Sequence, residues 1–119
     1  MKGKVVHFEI LGKDAEALQN FYESIFEWDI DANNPINYGL VKDSGEGSIG
    51  GGIGKADGGA PPHATFYIEV ENIQAHLDRI TEMGGEVVMP ETEIPNMVTF
   101  ALFKDIEGNT VGLVKSGSH

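Results

Sequence analysis

His7 and Glu9 are the residues of this sequence best suited to chemistry. They stand two apart in Lys4-Val5-Val6-His7-Phe8-Glu9-Ile10-Leu11, and in an extended strand that spacing turns both side chains to one face. An imidazole beside a carboxylate can handle protons, with either group as general base once burial or a partner tunes it. The competing reading is that the two only satisfy one another, or nearby backbone groups, inside a closed core, because buried polar groups are normally paired for stability alone. The sequence has no cysteine. That excludes disulfides, thiolate nucleophiles and Cys-based zinc sites, and permits a reducing compartment. His63 follows Pro61-Pro62 and reads as a loop residue. His76 lies beside the apolar stripe of a helix and reads as surface.

The elements that must carry His7 and Glu9 occur twice. His7-Phe8-Glu9-Ile10-Leu11-Gly12-Lys13-Asp14 aligns with Thr65-Phe66-Tyr67-Ile68-Glu69-Val70-Glu71-Asn72 at an offset of 58 residues, a strand pattern running into a polar helix start in each copy. Leu18, Phe21, Tyr22 and Ile25 mark an apolar helix face in the first copy, and Ile73, Leu77, Ile80 and Met83 mark one in the second. The helices stop at Phe26-Glu27-Trp28 and at Gly84-Gly85. Asp14 is placed to cap the first. By the repeat, Thr65 and Tyr67 are the counterparts of His7 and Glu9, and a cavity between the two copies would hold a small polar ligand among these four side chains. An acidic floor of this kind favours neutral or cationic ligands over anions, since a buried carboxylate repels a second negative charge.

Further strands are expected at 28–30, 38–41, 86–90 (ended by Pro90), 97–103 and 110–115. Ile49 to Gly54 reads either as a close-packed strand or as a flexible loop. Each half is therefore βαβββ, and the expected fold is α+β: two such modules in tandem, about 4–54 and 63–115, joined by a Gly/Ala/Pro-rich linker at 55–62, forming curved, mostly antiparallel sheets around a cavity. Phe66, Phe100 and Phe103 read as core. Glycines 50, 51, 52 and 54 lack the Lys-Ser/Thr of a phosphate loop and read as sites of close backbone approach.

The 119 residues amount to a single domain, 1–119, long enough to bury a core without staples. With eight Lys and Arg against a net charge of -11, nucleic acid and anionic lipid are excluded as partners. No apolar run approaches the roughly 20 residues of a membrane span. Met1-Lys2-Gly3-Lys4 leads into a strand without the apolar region of a signal peptide. A soluble cytoplasmic protein is expected, with Gly117-Ser118-His119 a loose tail of no function. Exposed strand edges favour a homodimer.

A βαβββ unit given twice in this length resembles the vicinal oxygen chelate superfamily, which includes glyoxalase I, bleomycin-resistance proteins and extradiol dioxygenases. His7-Phe8-Glu9-Ile10, Phe21-Tyr22 and Ile25-Phe26-Glu27-Trp28 look like its first module. Gly84-Gly85-Glu86-Val87-Val88-Met89-Pro90 and Phe103-Lys104-Asp105-Ile106-Glu107-Gly108-Asn109 look like the second, the last with Ile106 where the family usually has Pro. Within the superfamily the chain looks most like the lactoylglutathione-lyase-related branch. The resemblance implies a divalent metal held by four His, Gln or Glu side chains. Their positions fall on His7, Thr65, Gly112 and a residue of Ile49–Ile53, with Gly51 at its centre. His7 alone keeps a ligand-type side chain, so no metal and no other cofactor is expected.

The resulting expectation is a metal-independent small-molecule binding protein, with His7, Glu9, Thr65, Tyr67, Gly51 and Gly112 lining the site. The alternative is a lyase or isomerase of the glyoxalase type using Glu9 or His7 as base. A third possibility is a fold kept only as a structural or regulatory module.

Overall fold

A computed structural model describes residues 2–117. Ser118 and His119, read above as part of a loose tail, lie outside the described residues. The element order is β1 (Lys4–Gly12), α1 (Ala15–Phe26), β2 (Ile30–Asp31), β3 (Gly39–Val41), β4 (Gly50–Lys55), β5 (His63–Val70), α2 (Ile73–Glu82), β6 (Glu86–Ile94), β7 (Val98–Lys104) and β8 (Thr110–Lys115). This is βαβββ given twice, an α+β fold. Among the described residues no helix is long and apolar enough to cross a membrane.

The described residues divide into two compact units, 6–65 and 2–5 with 66–117. The division falls inside β5 rather than in the 55–62 stretch. The first unit carries the strand order β2-β3-β4-β1, and the second β5-β8-β7-β6. In each, the first strand of the module pairs parallel with its last, Glu9 opposite Gly52 and Tyr67 opposite Gly112. The remaining pairings are antiparallel.

The two helices start alike. Asp14 and Asn72 each sit in extended backbone and accept a hydrogen bond at 3.0 Å from the amide three residues on, Ala17 and Ala75, satisfying an otherwise orphan N–H of the first turn. They stop differently. Glu27 ends α1 in the left-handed region, at φ 57. At the end of α2, Gly84 takes φ 99, and the amides of Gly84 and Gly85 bond back to Thr81 and Ile80, the Schellman pattern that a glycine makes cheap.

The core of the second unit is Val70, Ile73, Leu77, Ala101 and Leu113, with Ile68, Ile80 and Phe103 packed against it. The apolar face expected for α2 thus turns inward at Ile73 and Leu77, while Met83 stays exposed. In α1 the expectation fails in part. Phe21, Ile25 and Phe26 are exposed, and the buried residue is Gln19. Tyr22 instead stacks on Trp28 at 5.5 Å, within a run of aromatic contacts that includes Phe8 and Phe26.

Of the two readings of the glycine-rich stretch, the strand is what the structure shows, over Gly50–Lys55. One strand boundary differs from expectation. β6 does not end at Pro90 but runs to Ile94. Its pairing with β7 shifts register between Met89 and Thr92, and it ends the strand order of its sheet. A bulge on such a strand tolerates the missing proline N–H.

Candidate functional site

His7 and Glu9 both reach one hydroxyl. Tyr38 Oη donates to Glu9 Oε2 at 2.8 Å and lies 2.8 Å from His7 Nε2. With the phenol hydrogen given to the carboxylate, the network assigns the proton at that contact to His7 Nε2, which then donates to the phenol oxygen. The imidazole and phenol rings are near parallel, 6.1 Å apart at 20°. All three residues are half-buried. His7, Tyr38 and Glu9 therefore form one hydrogen-bonded chain within the first unit, in an environment where such bonds are stronger than in water.

Tyr38 is held from behind by Asn34. The Asn34 carboxamide oxygen accepts from the amides of Ile36 and Tyr38, and its nitrogen donates to the Tyr38 carbonyl at 2.7 Å. Asn37 adopts φ 52, a conformation that asparagine tolerates better than most residues. Gln19 reaches in from α1 and donates to the carbonyls of Ile53, at 2.8 Å, and Asn37, at 3.3 Å. A polar side chain on the inward face of α1 thus ties the helix to β4 and to the loop that presents Tyr38.

The β4 glycines make room for these rings. A Cβ at Gly52 would run into the Tyr38 ring, and one at Gly54 would stand 2.8 Å from it. Gly51 faces the other way, where a Cβ would meet the Phe8 ring. The glycine sharing the face of His7 and Glu9 is therefore Gly52, and Gly51 belongs to the side of Phe8. Backbone does approach at Gly50, through the Val41 carbonyl, but at Gly51, Gly52 and Gly54 what approaches is a side chain of the same unit.

In the second unit a tyrosine ring again lies over a glycine. Tyr67 pairs with Gly112, and its ring covers the position where a Gly112 side chain would begin. Phe100 packs edge-on at 6.4 Å. Tyr67 is buried, and Thr65 is half-buried on β5. Two other histidines stand apart: His63 Nδ1 contacts the Pro61 carbonyl at 2.9 Å and His76 Nδ1 the Asn72 carbonyl at 2.7 Å, both at exposed positions. A groove of about 580 Å³ between α1 and the end of β1, walled by Leu18, Phe21, Tyr22 and Pro62, shares no residue with the His7–Tyr38–Glu9 cluster.

These residues do not fit a metal of the kind the resemblance implies. The register makes Gly52 the first-unit equivalent of Gly112, and a tyrosine ring lies over both. Among the described residues no group of three His, Cys, Asp or Glu side chains could hold a metal ion.

Sequence reasoning missed Tyr38. The signal lay in Asn34-Pro35-Ile36-Asn37-Tyr38-Gly39, a tight polar turn delivering an aromatic to a strand whose partner is nearly all glycine. A large ring opposite a row of missing side chains is a packing complement.

The chain matches the model of the Glyoxalase/Bleomycin resistance protein/Dioxygenase superfamily over residues 4–113 and belongs to that superfamily. It is 31% identical over 113 residues to the "Putative glyoxylase CFP32" of Mycobacterium tuberculosis, which covers 89% of this chain and 43% of the relative. The chain thus spans less than half the length of that protein. Among solved structures it resembles hypothetical protein BH1468 from Bacillus halodurans C-125, with TM-score 0.70, 13% identity, and 100% and 98% of the two chains covered. It also resembles methylmalonyl-CoA epimerase from Mycobacterium tuberculosis, with TM-score 0.65, 14% identity, and 93% and 86% covered. At these identities the structural likenesses speak for the fold.

Proposed function

We propose that this chain is a metal-independent member of the superfamily that binds a small organic molecule at the face formed by His7, Tyr38 and Glu9. The supporting observation is the shared phenol: one tyrosine hydroxyl engages both the carboxylate and the imidazole, and its ring fills the space in front of Gly52. A half-buried carboxylate there favours neutral or cationic hydrogen-bonding ligands over anions. A thermal-shift panel of neutral, cationic and anionic small molecules tests this. A ligand at a hundred times its Kd stabilises the native state by about 2.7 kcal/mol, and Glu9→Gln should weaken a cationic ligand while the melting temperature of the free protein changes little. A large loss of stability with unchanged affinity would make Glu9 scaffold. Elemental analysis after dialysis is expected to find far less than one transition metal per chain, and a value near one overturns the reading.

A second reading takes Glu9 as general base in a lyase or isomerase of the glyoxalase type. The hydrogen bond from Tyr38 favours it, because it fixes one carboxylate oxygen. So do relatives named for glyoxylase and epimerase activities. Exchange of solvent deuterium into α-carbonyl compounds, lost in a folded Glu9→Gln variant, would establish it. No exchange with any compound that binds would exclude it.

Association as a homodimer is part of the proposal. β2 and β6 stand at the ends of the strand order, and β6 exposes Val87 and Val88. Strand edges of this kind are commonly covered by association. Light scattering at micromolar concentration should give twice the 12.8 kDa chain mass, and a monomer mass throughout would rule it out.

A further inference from the structure

We propose that Tyr38 decides which class of ligand the His7–Glu9 face accepts: its ring occupies the space in front of Gly52, so the face takes a hydrogen-bonding organic molecule and excludes a divalent cation. The inference rests on the metal-independent reading above and names the residue responsible for it.

Three positions on two adjacent strands share this face. His7 and Glu9 lie on β1, and Gly52 stands opposite Glu9 on β4. Neighbouring strands are about 4.8 Å apart, so a carboxylate at position 52 would stand beside Glu9 and complete three protein ligands, the number an open divalent site needs. Two features prevent this together. Position 52 has no side chain, and the Tyr38 ring lies where one would start. The hydroxyl holds the ring there through its 2.8 Å hydrogen bonds with Glu9 and His7, and Asn34 fixes the Tyr38 backbone with hydrogen bonds at 2.7 and 3.0 Å. Removing the ring alone leaves two ligand-type side chains on one strand. Adding a carboxylate alone drives it into the ring. Tyr38 and Gly52 thus act as one coupled pair.

The test compares wild type, Tyr38→Phe, Tyr38→Ala, Gly52→Glu and the double variant Tyr38→Ala/Gly52→Glu. Each is confirmed folded by circular dichroism and titrated calorimetrically with Ni²⁺ alone and Zn²⁺ alone. The double variant should bind one metal per chain, on the order of a hundredfold tighter than the others, which stay substoichiometric. Tyr38→Phe matters because it keeps the ring and removes the hydroxyl, and it should not gain metal. Tyr38→Phe or Gly52→Glu binding as tightly as the double variant overturns the inference, as does a folded double variant that stays metal-free. If the double variant fails to fold, Gly52→Ala is compared in two backgrounds. It should lower the melting temperature by about 5 °C in wild type and hardly at all in Tyr38→Ala. Equal losses overturn the coupling. A wild-type protein already holding one metal per chain overturns the metal-independent reading itself, whereas the failures above leave that reading standing.

Discussion

The two modules set a tyrosine ring over a glycine at the same register position and use it differently. In the first, the glycine is Gly52 and the ring comes from Tyr38, which lies outside the strand pair and brings its hydroxyl to Glu9 and His7. In the second, the glycine is Gly112 and the ring comes from Tyr67, on the paired strand itself and packed on Phe100. The helices diverge in the same sense. α2 buries Ile73 and Leu77, each 1% exposed, whereas α1 buries Gln19 and leaves Phe21 56% exposed. One topology thus supports a helix packed through apolar side chains and one tied in by a polar side chain. The polar contacts of the first module converge on the loop that carries Tyr38, so its departures from good packing serve the positioning of one side chain.

The largest expected effect lies on the helices. Leu77→Ala removes a fully buried side chain from the second core and should cost about 3 kcal/mol. Phe21→Ala, at the corresponding apolar stripe of α1, should cost under about 1 kcal/mol, because exposed substitutions do little. Urea unfolding of both measures the contrast, and equal losses would mean that the Phe21 face is covered in solution.

Next come the glycines. Gly112→Ala forces a methyl group into the Tyr67 ring, and overpacking of this kind costs about 2 kcal/mol. The paired measurement is Gly51→Ala, whose methyl group meets the Phe8 ring on the opposite side of β4. It should lower stability by a similar amount, about 2 kcal/mol, yet leave ligand binding at the His7–Glu9 face unchanged. A loss of affinity in a folded Gly51→Ala variant would return Gly51 to the site. Smaller again is Gln19→Leu, which keeps the volume but leaves the buried Ile53 carbonyl without its side-chain donor, at about 1 kcal/mol. Its distinguishing readout is the amide spectrum of residues 34–38. If the Tyr38 loop does not shift when Gln19 is lost, the helix does not position it.

Much of this was legible in the sequence because it depends on local periodicity. The repeat gave the two modules. Asp14 and Gly84-Gly85 gave helix ends, and the two-residue spacing put His7 and Glu9 on one face. What escaped depends on contacts distant in sequence. Tyr38 meets Glu9 across 29 positions, and the turn at 34–38, which signals that an aromatic is delivered to a strand, does not name the carboxylate it reaches. Gln19 was hidden among Leu18, Phe21 and Tyr22, where an apolar count favours the wrong inward face. Pro90 looked like a stop because strand chemistry alone does not reveal that β6 ends its sheet and is bulged there.

The smallest expected effect again separates the modules, at the turns before their last strands. Asp105 accepts hydrogen bonds from the amides of Glu107 and Asn109 and from the Asn109 side chain, at 2.9 to 3.0 Å. Asp43, before β4, accepts from the amide of Gly45 at 3.1 Å. The bonds from the Asn109 side chain and then backbone, with that from the Glu107 amide, hold the Asp105 carboxyl below its usual 3.8, because they favour the charged form. A carboxyl whose pKa is lower folded than unfolded binds its proton more readily in the unfolded chain. Its contribution to stability is present above pH 3.8 and disappears as the pH falls through the lower folded value. Asp105→Asn should therefore melt slightly below wild type at pH 6, and the gap should close as the pH drops below 3.8. The residue is fully exposed, so the gap is small and screened by salt. Thermal melts from pH 6 down through pH 3.8 check it. A gap that does not narrow below pH 3.8 would mean that Asp105 holds the turn through shape rather than charge.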